Sequence, residues 1–118
     1  MGLDTSHNAW HGPYSSFNRF RYWLAARIDI NLDDYKGYEE KGSKYLTTIN
    51  HPLVYLFNHS DCHGKIHPKK CKQIADGIDS VLKTITRAPE NEYFYNHAIQ
   101  FRDGCLSAFE NNEHIDFH

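Results

Sequence analysis

The sequence predicts a mainly α-helical fold of about four helices, with α+β as the variant in which a small sheet joins the terminal segments. Three observations point there. Apolar residues recur at helical spacing over two long windows, 68–86 and 91–110; a shorter window of the same kind follows GPYSS; and the stretches able to form strands, GLDTS, GKI and HIDFH, are all short. A chain of 118 residues is the size of one ordinary domain, so the expectation is one compact domain over 1–118.

The first helix should open after GPYSS, where Ser15 or Ser16 can cap it, and run to about Ile28. At about 100° per residue, Phe17, Phe20, Leu24 and Ile28 share one stripe, which marks the core face. Residues 29–50 hold DDYKGYEEKGSKY, with clustered charge and glycines, and read as a long surface loop carrying Tyr35, Tyr38 and Tyr45. HPLVYLFNHS reads as a short helix opening at Pro52, with Leu53, Leu56 and Phe57 turned to the core. Pro68 to about Thr86 is the clearest amphipathic window: Cys71, Ile74, Ala75, Ile78, Val81, Leu82 and Ile85 line one side. After RAPEN, a fourth helix over about Asn91–Glu110 places Phe94, Ala98, Phe101, Cys105 and Ala108 at spacings of four and three, with a second apolar flank at Tyr95, Ile99 and Leu106. The segments GLDTS, HIDFH and GKI are left over, and a small ladder uniting the termini accounts for them.

Composition excludes several classes. Thirteen basic against fifteen acidic residues give a net charge of −2 with no block of like charge, which disfavours nucleic acid as a partner. Cys62, Cys71 and Cys105 form an odd set without a CxxC pair, so a reducing cytoplasm fits better than a disulfide framework. No apolar run reaches the roughly 18 residues needed to cross a bilayer, so a soluble protein without a membrane partner is expected. MGLDTS matches the short myristoylation pattern, which Asp4 fits poorly. GxGxxG, P-loop and GxSxG motifs are absent, and no cofactor is expected.

Nine histidines and seventeen aromatic residues are the unusual totals. Sixteen residues, SHNAWHGPYSSFNRFR, concentrate His7, Trp10, His11, Tyr14, Arg19 and Arg21. Arg21 lies about 40° from Phe17 and about 20° from Ile28, inside the apolar stripe, whereas Arg19 points away. A guanidinium there cannot lose its charge, so it needs a carboxylate such as Asp4 or Asp61, backbone carbonyls, or an anionic ligand. His7 and His11 are four apart, yet Gly12 and Pro13 break any helix that would put them on one face. His59, Asp61 and His63 share a tight turn and form a pocket candidate; with His7 and His11 they are also the ligands a metal would need, but no metal is assigned. The same segment has the rhythm of an EF-hand but fails at its ligand positions, with His59 first, His63 fifth and Lys70 twelfth. Cys62 beside these histidines is a possible nucleophile, with a buried structural thiol as the better reading.

MGLDTSHNAWHGPYSSFNRFR together with HSDCHGKIHPKKCKQIA resembles a family of short tailed-bacteriophage proteins, which open like GLDTSHxxWHGxYSxFxRxR and later carry HSDCxGxI before a cysteine-bearing helix. The two motifs cover about forty residues. His63 and Lys65 stand where the family pattern is acidic, which weakens a carboxylate-based metal site. The resemblance implies a phage source and the host cytoplasm, and implies no activity.

The functional expectation is a binding protein for a small anionic ligand, of the nucleotide second-messenger kind, that sequesters an immune signal; cyclic nucleotides and cyclic ADP-ribose are the types in view. His7, Trp10, His11, Tyr14, Arg19, Arg21, His59 and Asp61 are its expected contacts: rings to stack a base and donors for phosphates. Two other readings stand beside it. One is a metal- or histidine-dependent hydrolase of a phosphorylated small molecule. The other is a protein-binding inhibitor or structural accessory protein. A homo-oligomer with a pocket between subunits is compatible with all three.

Overall fold

A computed structural model describes residues 2–36, 44–45, 48–59, 64–85 and 89–118. The mainly helical expectation holds: four α-helices, α1 (Tyr14–Arg27), α2 (Val54–Phe57), α3 (Pro68–Thr84) and α4 (Glu92–Glu110), are joined by three two-stranded ladders. The first ladder pairs β1 (Gly2–Asp4) with β2 (His11–Pro13) antiparallel, Leu3 opposite Gly12. A second, parallel, sets β3 (Tyr35–Lys36) beside β4 (Lys44–Tyr45) within the predicted loop. The third pairs β5 (Gly64–Ile66) with β6 (Ile115–Phe117) antiparallel, Ile66 opposite Ile115.

The predicted junction of the termini is present. Thr5 bridges Phe117, and Asp4 and His118 exchange both backbone hydrogen bonds, at 2.9 and 2.8 Å. α4 reaches this junction by ending at Glu110 and reversing through Asn112, which is left-handed at φ 54°; Glu113 N–H then donates back to Ala108 O at 2.8 Å.

The core is continuous across these elements. Phe17, Phe20 and Leu24 of α1 are fully buried as their stripe predicts, with Ile28 at its partly buried end. α3 and α4 are the most extensively packed helix pair, meeting through Cys71, Ile74, Ile78, Phe101 and Cys105 among others. The hydrogen bond it donates to Cys71, and then burial, push the Cys105 thiol up, and both sulfurs belong to the packed interior; Cys62 lies outside the described residues. Tyr95, Ile99 and Leu106, the second flank of α4, are only partly buried.

Helix starts differ in detail from the sequence expectation. Neither Ser15 nor Ser16 caps α1, because β2 runs directly into it: Pro13 occupies the N-cap position and both serines fall in the first turn. The short helix begins at Val54 rather than Pro52. Two His-Pro pairs share one device at their N-termini. His51 Nδ1 accepts the Leu53 N–H at 3.1 Å ahead of α2, and His67 Nδ1 accepts the Lys69 N–H at 3.2 Å as the N-cap of α3. Gly77 then lets α3 approach this segment closely, since a Cβ there would sit 2.9 Å from Leu53 Cγ. Among the described residues no helix is long and apolar enough to cross a membrane.

Candidate functional site

The sequence points first to the Ser6–Arg21 stretch, and there most polar side chains already have partners. Trp10 has no exposed surface; it stacks on Phe20 at 5.2 Å, meets Phe17 edge-on at 5.3 Å and packs on His97 at 4.4 Å. With both ring faces in the core, it cannot present one to a ligand's base. Among the described residues its Nε1 and His97 Nδ1 are buried without a partner, and burial lowers the His97 pKa. Arg21 is 4% exposed. It donates to Phe57 O at 3.2 Å, to His59 O at 2.6 Å and to Asn18 Oδ1, capping carbonyls at the C-terminal end of α2 with its guanidinium carbon 5.1 Å over the Phe17 ring. Of the three partners expected for this charge, backbone carbonyls are present; Asp4 lies against His11, and Asp61 lies outside the described residues.

His7 and His11 do not converge. His7, held at a left-handed φ of 59°, stands between Ser6 Oγ on Nδ1, 2.8 Å, and Glu113 Oε1 on Nε2, 3.0 Å. His11 lies in β2 and meets Asp4 Oδ1 and the Asn8 amide, both at 2.8 Å. The Ser6–His7–Glu113 chain resembles a nucleophile, base and carboxylate in sequence. Its role here is a clasp: Ser6 Oγ also accepts the Asp116 N–H at 2.9 Å, tying the two ends of the chain, and the adjacent cleft is lined by His7 and Asn8 rather than by Ser6. Tyr14 is partly buried against the core, and Arg19 is exposed with a 3.4 Å contact to Ser16 Oγ. His59 is half-buried, its ring 4.4 Å from Phe117 and its Nε2 bonded to Lys65 O at 3.2 Å. Asp61 and His63 lie outside the described residues. Among those described, no group of three or more His, Cys, Asp and Glu side chains is placed to hold a metal.

Three surface cavities can be compared by the charge they offer. One of about 370 Å³ at the end of α1 is lined by Tyr22, Ala26, Ile30 and Leu32 with Asp29, and suits no anion. A cleft of about 400 Å³ between His7–Asn8 and α4 contains Asp103, and its Gln100 amide is engaged by Asn8 O at 2.9 Å. The third, a groove of about 490 Å³ between residues 49–58 and α3, is lined by Asn50, His51, Tyr55, Asn58, Lys70 and Gln73, with Ile49, Pro52 and Val54 completing it. Among the described residues it alone of the three holds a lysine and no carboxylate.

The folding of the His51–Pro52 turn sets the chemistry of this groove. Because His51 Nδ1 accepts the Leu53 N–H, its proton sits on Nε2, and burial lowers its pKa, so the ring is a neutral donor. Tyr55 is 37% exposed, with Tyr93 and Phe109 one of three large apolar side chains at the surface among the described residues. Lys70, four residues before Ile74, comes off the first turn of α3 and stands 5.5 Å over the Tyr55 ring. Of these residues none was singled out from the sequence; the available signal was the repeated His-Pro pair, at 51–52 and 67–68. Comparison with protein-family models, curated proteins and solved structures finds no match.

Proposed function

We propose that the protein binds a small anionic ligand carrying a flat ring, a nucleotide in the first instance, in the groove between His51–Asn58 and the first turns of α3. One observation carries this reading: an aromatic face, an ammonium and a neutral imidazole donor line one groove of about 490 Å³ that holds no carboxylate among the described residues. That volume falls in the range of small-molecule sites, and those groups are what a base and a phosphate need. The ligand seat therefore moves from the Ser6–Arg21 stretch to the groove.

The finer role, sequestration of a nucleotide signal of bacterial immunity in the host cytoplasm, rests on analogy with other small phage proteins, since the resemblance implies a phage source and no activity. A sequestering protein needs a stacking face and phosphate donors and no catalytic group. Equilibrium dialysis against nucleoside monophosphates, cyclic nucleotides and cyclic ADP-ribose derivatives tests both levels. The expected result is depletion of at least one of them, with the ligand recovered intact after heating. Depletion of none refutes the binding reading, and recovery of a cleaved product would replace sequestration by hydrolysis.

A further inference from the structure

Lys70 Nζ lies over the Tyr55 ring, 5.5 Å from its centre, so the ammonium covers the face on which a flat ligand ring would stack. Neither group is enclosed: Tyr55 is 37% exposed with the His59 ring 5.9 Å away, and among the described residues the Lys70 ammonium otherwise has only a 3.5 Å contact to Gln73 Oε1. An ammonium gains more from a phosphate, through charge-assisted hydrogen bonds, than from a ring face. We propose that Tyr55 and Lys70 form an exchange pair, which makes the groove select ligands that carry a phosphate and a purine-like ring in one molecule.

The selection follows from what each half of such a ligand can do alone. A phosphate without a base draws Lys70 away and leaves the Tyr55 face to water. A nucleoside without a phosphate has to displace the ammonium and offers it no new partner. A nucleotide does both at once, the ring taking the face and the phosphate taking the charge. His51 adds direction, because its Nε2–H is a donor for a ring acceptor such as guanine O6 or N7. This inference rests on the groove being the binding site.

Calorimetric titration with guanosine 5′-monophosphate, guanosine and ribose 5-phosphate separates the two ideas. The exchange pair predicts that the monophosphate binds at least tenfold more tightly than either fragment. Tyr55→Ala should bring it down to the ribose 5-phosphate level, Tyr55→Phe should retain it, and Lys70→Ala should bring it down to the guanosine level. Equal affinity for ribose 5-phosphate and the monophosphate, or an unchanged ratio in Tyr55→Ala, overturns the exchange pair while leaving an anion-binding groove. Binding of none of the three probes overturns both. Because Tyr55→Phe keeps the ring and the packing, a loss confined to Tyr55→Ala is assigned to the face, and a melting curve of each variant confirms that it is folded.

Discussion

The Ser6–Arg21 stretch and the His51–Asn58 stretch differ less in residue type than in what their polar atoms are doing. The first has two histidines, a tryptophan and two arginines, yet Trp10 is enclosed by aromatic rings, Arg21 caps α2, and His7 joins Ser6 to Glu113. The second has one histidine, one tyrosine and one asparagine with Lys70 beside them, and its His51 Nε2–H points to no protein acceptor among the described residues. A cluster of chemically capable residues marks a site only where donors and faces remain unengaged. In this molecule the richer stretch builds the fold, and on the reading proposed here the plainer one is the stretch that binds.

The largest effects should therefore be on stability and come from the first stretch. Trp10→Ala removes a fully buried ring and is expected to cost about 4 kcal/mol. Arg21→Met leaves Phe57 O and His59 O without their donor and should cost about 3 kcal/mol. Denaturant midpoints measure both; a Trp10→Ala protein of unchanged midpoint that has lost ligand binding would break the comparison. Gly104→Ala comes next. Its Cβ would lie 2.6 Å from Ala9 Cβ and 2.8 Å from Ala9 Cα, which forces the Ser6–Trp10 segment off α4 at about 2 kcal/mol. A midpoint equal to wild type would show that this contact is loose.

Acid sensitivity offers a finer test. Burial lowers the pKa of His97 and of His51 in the folded chain, so as pH falls the unfolded chain takes up these protons first. Their contribution to stability is complete above the ordinary histidine value near 6.5 and is lost as pH drops below it. His97→Phe keeps a ring against Trp10 and removes one titration, so the acid limb of midpoint against pH should become shallower. An acid limb of unchanged slope would mean that His97 does not titrate differently on folding. The smallest effect is expected at Lys72, whose exposed pair with Asp76 at 2.7 Å should be worth about 0.3 kcal/mol when Lys72→Ala is compared by midpoint.

Much of the fold was legible because its signals are periodic. The apolar stripes of α1, α3 and α4 repeat over several turns, and the three short strand candidates GLDTS, GKI and HIDFH had few places to pair other than at the joined termini. β2 was not legible: His11-Gly12-Pro13 is too short for alternation and contains a proline. Arg21 was recognisable as a buried charge from its helical angle alone, but its partners are carbonyls of residues 36 and 38 positions away, which only the packed chain brings near. The groove was hidden for a different reason. Its donors are ordinary asparagine, glutamine and lysine residues from two separated segments, and nothing in residue type distinguishes an unengaged amide from a solvated one.

The central claim is that binding belongs to the groove and not to the histidine-rich opening. It is tested most directly by titrating guanosine 5′-monophosphate into wild type, Lys70→Ala and His11→Ala, since both side chains can be removed without opening the core. The expected result is at least a tenfold loss of affinity in Lys70→Ala and a change of less than twofold in His11→Ala. Loss of binding in His11→Ala with Lys70→Ala unaffected would contradict the account and return the site to the opening stretch.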